Sequence, residues 1–236
     1  MRWLHALLVL AGLTGLTASP TAAVTLIEAG SGRLLGSATL IGGDRVLTNR
    51  HVVEPALRRG ATIALVHDGV RVDTRIAGLS DRLDLAVLVA ARHVADDPVL
   101  RLGTVAPDAR VNARTPAGAV VAGAVTRLRW RDAWGPALFV RMPVVYGASG
   151  AAVRDADGLL VGLVTAAVNP DARQMMMLRS GTGGASAGLG DAPGDQAPIV
   201  LVLPIQAAIE EATRLYNGCC GPGSASASRT TRAPDR

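Results

Sequence analysis

Val46-Leu47-Thr48-Asn49-Arg50-His51-Val52-Val53 is a short apolar run that breaks into a turn carrying a histidine. Two later stretches have the same form. Asp84-Leu85-Ala86-Val87-Leu88 sets a carboxylate at the head of a second apolar run, and Gly147-Ala148-Ser149-Gly150 places a serine in a glycine-flanked turn before a third. Working outward, Val24–Glu28, Arg33–Ile41, Arg45–Thr48, Ala61–His67, Val70–Ala77 and Leu85–Ala90 form one group of such runs. Ala119–Leu128, Ala137–Met142, Ala151–Arg154, Leu159–Val168 and Ile199–Leu203 form a second group. Gly30-Ser31-Gly32, Gly42-Gly43-Asp44, His67-Asp68-Gly69 and Asp155-Ala156-Asp157-Gly158 lie between them as turn signals. Many short strands at regular spacing predict an all-β protein.

The two groups are joined by Arg92–Pro107, whose Asp-Asp-Pro and Pro-Asp signals predict a connection. Ser180–Ala197 is rich in Gly, Ala and Ser and is read as a mobile loop before the last strand. Pro204–Tyr216 is the one segment with helical spacing. Ile205, Ala208, Ile209, Ala212 and Leu215 fall on one face, proline opens it and Gly218 is expected to end it. The polar stretch after it, through Arg236, is expected to be disordered.

The N-terminus has a different character. Arg2, the apolar run Leu4–Leu16 and the small residues Thr21-Ala22-Ala23 form the pattern of a secretory signal peptide over residues 1–23, with a cut expected between Ala23 and Val24. An uncleaved anchor is the alternative, but a spanning helix needs about 20 apolar residues. No second run of membrane length follows, so no stable membrane insertion is expected after cleavage. The chain has a formal net charge of +5, carried entirely by arginine, because the sequence contains no lysine. Stacking aromatics are scarce at 3%, and the arginines are scattered with a small cluster at Arg127, Arg129 and Arg131, so nucleic-acid binding is not expected. The two cysteines, Cys219 and Cys220, are adjacent and cannot staple a core. They also lack neighbouring ligands for a metal site.

A serine hydroxyl needs a base to take its proton and a site for the oxyanion it creates. His51 is the candidate base. Asp84 is the candidate group that orients its imidazole, and a carboxylate beside so apolar a strand needs such a partner. Asp81, the rival, is read as a solvated turn residue. Ser149 is the candidate nucleophile. The glycines around it allow backbone conformations that aim the Gly147 and Ser149 amides at one point, forming an oxyanion hole. Losing one such donor costs roughly 3–4 kcal/mol. If His51 must be neutral to act as base, activity should fall below the ordinary histidine range, near about 6.5.

The order His, Asp, Ser resembles that of the trypsin/chymotrypsin superfamily. Within it, the chain is similar to the protease domain of bacterial HtrA/DegP-like proteins. The similarity lies in Gly36–Ile41 with Thr48–Val53, Asp84–Leu88, Gly147–Ala151, Gly158–Ala166 and Ile199–Pro204. The resemblance implies two six-stranded antiparallel β-barrels with a catalytic triad in the cleft between them. Barrel 1 would span about 24–103, barrel 2 about 104–203 and the helix 204–216, within a protease domain over 24–217, with residues 218–236 as tail. It also implies an exported bacterial serine endopeptidase, periplasmic or extracellular, that acts on polypeptides and needs no metal or cofactor.

Departures from the family pattern are specific. No PDZ domain is expected after the last strand. Ala151 replaces the second glycine after the serine, and Arg50 stands where a small or polar residue is usual. Ala148 replaces the aspartate that pairs with a new amino terminus in zymogens. The family's pocket geometry implies Pro143 at the base of the primary pocket, with Thr165, Ala166 and Ala167 as walls. With no carboxylate there, cleavage after small or medium apolar residues is expected. Thr165 is also expected to support Asp84 through its hydroxyl. The rival reading is an inactive trypsin-like fold serving as a protein-binding or chaperone-like module.

Overall fold

The computed structural model describes residues 23–94, 101–132, 135–167 and 197–220. Residues 1–22 of the expected signal segment, residues 180–196 of the loop and residues 221–236 lie outside them, as do residues 95–100 of the connection.

Barrel 1 contains β1 (Val24–Glu28), β2 (Leu34–Leu40), β3 (Arg45–Thr48), β4 (Ile63–His67), β5 (Val70–Leu79) and β6 (Ala86–Ala90). It closes in the order β1-β2-β3-β6-β5-β4. Barrel 2 contains β7 (Arg110–Arg114), β8 (Val120–Asp132), β9 (Gly135–Arg141), β10 (Ala152–Asp155), β11 (Leu160–Ala167) and β12 (Ile199–Pro204). It closes in the order β10-β11-β12-β9-β8-β7. Every ladder is antiparallel. Closure leaves no free sheet edge to attract another chain.

The strands apolar on both faces explain how the barrels meet. In β6, Ala86, Leu88 and Ala90 pack inside barrel 1, while Val87 and Val89 belong to a third cluster between the barrels. In β3 the same division separates Val46 from Leu47. Barrel 2 answers with Leu160 and Leu163 of β11, whereas Val161 and Val164 turn into its own core. A strand buried on both sides loses the polar–apolar alternation. Each fully buried leucine contributes about 1.5–3 kcal/mol.

Three local expectations need correction. Residues Arg50–Arg58 form a nine-residue helix, α1, where a short turn is expected. Val52, Val53 and Ala56 face the barrel 1 core, and the helix carries Pro55 within it. The second correction is β7, a five-residue strand that the apolar runs do not announce. Its sequence alternates cleanly, with Val111 and Ala113 inward, but arginines flank it. The third concerns the C-terminal helix, α2 (Ile205–Cys220), which runs on through Gly218. An internal glycine costs a helix only about 1 kcal/mol. Ala208 and Ala212 of α2 are buried against the inter-barrel cluster. Tyr216 also receives the Arg45 guanidinium on its ring face, 4.3 Å from the centroid.

Candidate active site

Asp84 sits at the apex of a tight turn in which the Leu85 amide closes on the Leu83 carbonyl (2.8 Å). This turn delivers the carboxylate to the first turn of α1. Asp84 Oδ1 accepts the His51 amide (3.0 Å), and Oδ2 lies 2.6 Å from His51 Nδ1. The carboxylate therefore fixes the backbone and the ring of His51 together. A carboxylate at Nδ1 selects the tautomer protonated there and leaves the Nε2 lone pair to act as base. The Asp84 side chain is largely shielded (18% exposed), while that of His51 is half open to solvent. Asp81 is exposed and pairs with Arg214 at 3.0 Å, as a solvated turn residue would.

Ser149 lies in the loop before β10 and shares a cleft with His51. Its hydroxyl donates to the Thr165 carbonyl (3.0 Å), and no hydrogen bond joins it to His51 among the described contacts. The structure thus brings His51 and Asp84 into direct contact. It puts Ser149 across the same cleft, with its hydroxyl turned toward β11.

The loop around Ser149 is held by barrel 1. Ser37 donates its amide to the Ser149 carbonyl (2.8 Å) and its hydroxyl to the Gly147 carbonyl (2.7 Å). The Thr39 hydroxyl donates to the Gly150 carbonyl (3.0 Å), and the Thr48 hydroxyl to the Ser37 carbonyl (2.8 Å). Gly147 and Gly150 both lie at positive φ, +88° and +89°. Glycine reaches this region without steric cost. The amides of Ala148, Gly150 and Ala151 are bonded to carbonyls. Among the described residues, those of Gly147 and Ser149 engage no protein acceptor. Two free donors flanking a serine can bind developing negative charge. Ala151, in the place of a glycine, does not have positive φ, and its side chain packs in the barrel 2 core. Arg50 donates to the Ser80 carbonyl (2.7 Å), away from the serine.

The cleft has a volume of about 380 Å³. Ala166 and Ala167 are among its lining residues, and Pro143 and Thr165 are not. The Val144 amide closes on the Met142 carbonyl (2.9 Å), a tight turn that leaves Pro143 exposed to solvent. Val144, Val145 and Tyr146 line the wall instead, facing Leu34, Leu35 and Pro55. Arg33 also borders the cleft, with its charge partnered by Glu28 at 3.1 Å. The Ser31 hydroxyl, with Arg33 and Arg59, holds the Glu28 carboxyl below its ordinary value.

The expected bond from the Thr165 hydroxyl to Asp84 is absent, because that hydroxyl faces the Leu163 carbonyl (3.4 Å) and Asn49. Asn49 takes the supporting role and is the residue that pattern reading passes over. It is fully buried and donates to the Asp84 carbonyl (3.0 Å) and toward Thr165 Oγ1 (3.4 Å). No local pattern singles it out, because Thr48, Arg50 and His51 around it are polar as well. No group of three or more His, Cys, Asp or Glu suited to a metal occurs among the described residues.

A family model described as a trypsin-like peptidase domain matches residues 36–163. No curated protein matches the chain. Among solved structures, an inactive form of the Rv3671c protease has a TM-score of 0.60 at 17% identity, over 84% of this chain and 90% of that one. A related inactive-form structure, from M. tuberculosis H37Rv, gives 0.58 at 18% identity, over 84% and 89%. The HtrA-type protease AlgW with a tripeptide gives 0.62 at 21% identity, over 85% of this chain and 62% of that one.

Proposed function

The chain belongs to the trypsin-like peptidase family, and from that premise we propose that it is an exported serine endopeptidase working through His51, Asp84 and Ser149. The observation that carries the reading is the 2.6 Å contact between His51 Nδ1 and Asp84 Oδ2, on the wall of the cleft that holds Ser149. In this mechanism His51 Nε2 takes the proton from the Ser149 hydroxyl as its oxygen attacks the scissile carbonyl. Asp84 stabilises the imidazolium that forms. The Gly147 and Ser149 amides receive the oxyanion, and His51 then returns its proton to the departing amine. Water hydrolyses the acyl-enzyme by the same path in reverse.

The small apolar wall of Val144, Val145, Ala166 and Ala167 supports a preference for small or medium apolar residues before the cut. Export is supported by the signal-like N-terminus. No helix among the described residues is long and apolar enough to cross a membrane. The reading is tested by labelling the purified protein with a fluorophosphonate serine-hydrolase probe. Wild type is expected to label and Ser149→Ala to remain blank. An unlabelled wild type would favour a binding role for the fold.

A further inference from the structure

The segment that presents Asp84 is anchored from the far end of the chain. Ser80 is fully buried. Its amide bonds the Leu85 carbonyl (2.9 Å), closing a short loop around Asp84. Its hydroxyl oxygen accepts the amides of Arg82 (3.0 Å) and Leu83 (2.9 Å), and its carbonyl accepts Arg50 Nη1 (2.7 Å), next in sequence to His51. The hydroxyl proton goes to Glu211 Oε1 of α2, 2.5 Å away. The Glu211 side chain is 7% exposed and is gripped by Arg214 Nε (2.8 Å) and Nη2 (2.6 Å). Arg214 also reaches Asp81 in the same loop (3.0 Å).

A buried carboxylate is costly to desolvate, and docking a helix on a barrel does not require one. Ala208 and Ala212 already do that packing with apolar contacts. The polar cluster satisfies the loop's own amides, and it reaches the His51 turn through Arg50.

We propose that Ser80 and Glu211 are positioning residues that hold the Asp84 loop, and through it the Asp84–His51 pair, in working geometry. The C-terminal helix is then part of the support of the active site. This inference rests on the peptidase reading above. Misplacement of a reacting group by about 1 Å costs up to roughly 100-fold in rate.

The test compares Ser80→Ala, Glu211→Gln and Glu211→Ala with Leu215→Ala, which loosens the same helix where it packs on Gly78 without removing a polar contact of the cluster. Fluorophosphonate inactivation is measured as a saturable process, well below each variant's unfolding temperature. Ser80→Ala and Glu211→Ala are expected to lower the maximal inactivation rate about 10-fold or more with half-saturation nearly unchanged. Glu211→Gln, which keeps an acceptor for Ser80, should recover part of the loss, and Leu215→Ala should keep the wild-type rate.

A second readout does not depend on activity. The His51 Nδ1–H proton, followed by NMR, should be sheltered from exchange by Asp84 in wild type and lose that shelter in Ser80→Ala. Wild-type rates in both Ser80→Ala and Glu211→Ala would overturn the proposal. So would an equal loss in Leu215→Ala, which would make the helix merely structural. A wild type that does not label at all overturns the peptidase reading instead, and the NMR comparison still decides whether Ser80 holds the pair. Unchanged His51 exchange in Ser80→Ala would then refute the positioning role.

Discussion

Gly150 and Gly158 offer a matched comparison that isolates what close packing contributes at the serine loop. Both lie at positive φ, +89° and +76°. Alanine at either site bears the left-handed penalty of about 1–2 kcal/mol. At Gly158 a Cβ meets nothing within 4 Å, so that penalty is the whole cost. At Gly150 a Cβ collides with the Ser37 carbonyl oxygen and lies 2.5 Å from Thr48 Oγ1. The loop must move, which loosens the bond from Thr48 to Ser37 (2.8 Å) and that from Thr39 to Gly150 (3.0 Å). Each buried group left unpaired costs about 1–3 kcal/mol. The total for Gly150→Ala is then roughly 3–8 kcal/mol. For a domain of this size one kcal/mol moves Tm by about 2–4 °C. Gly158→Ala should therefore lose roughly 2–8 °C in calorimetry, and Gly150→Ala should lose several degrees more together with its fluorophosphonate labelling. Equal losses of Tm in the two variants, with labelling intact in both, would refute the claim that barrel 1 clamps the serine loop.

Further expectations follow from the same geometry. Asp84→Asn keeps the size of the side chain but no longer selects the Nδ1-protonated imidazole, so kcat on a cleavable peptide should fall about 10⁴-fold while Tm stays near wild type. Acid stability should depend on Glu211, whose carboxyl is held below its ordinary 4.5, first by hydrogen bonds from Arg214 and then by the Ser80 hydroxyl. A depressed folded value means that the stabilisation is complete above about 4.5 and is lost as pH falls through the folded value. Urea unfolding from pH 6 down to pH 3 should therefore show a shallower decline in Glu211→Gln than in wild type.

The barrels were legible because the sequence carries their physics locally. β3, β6 and β11 announce themselves as apolar runs, since both of their faces are buried. The His51 and Asp84 turns are legible for a related reason, because polar groups at the ends of such runs need partners. β7 was hidden because its inward residues are only Val111 and Ala113, framed by arginines. α1 was hidden because a nine-residue helix holds too few turns to show a period, and Pro55 reads as a breaker. Pro143 sits on a single tight backbone turn, a local feature that family spacing does not encode. The Ser80–Glu211 bond spans 131 residues of chain. No local pattern can register a contact at that separation, and each partner alone reads as an ordinary polar residue.

The hydroxyl seam from Ser37 and Thr39 to the Ser149 loop also makes the serine loop depend on both barrels at once. Asp84 and His51 emerge early, on a barrel whose strands end at Ala90. The serine loop reaches its shape only when barrel 2 exists to be pressed against β2. Barrel 2 closes through β12 near the end of the described chain, immediately before the helix that braces the Asp84 loop. In the proposed mechanism a chain without barrel 2 would hold the base but no clamped nucleophile, so cleavage would need both barrels in place.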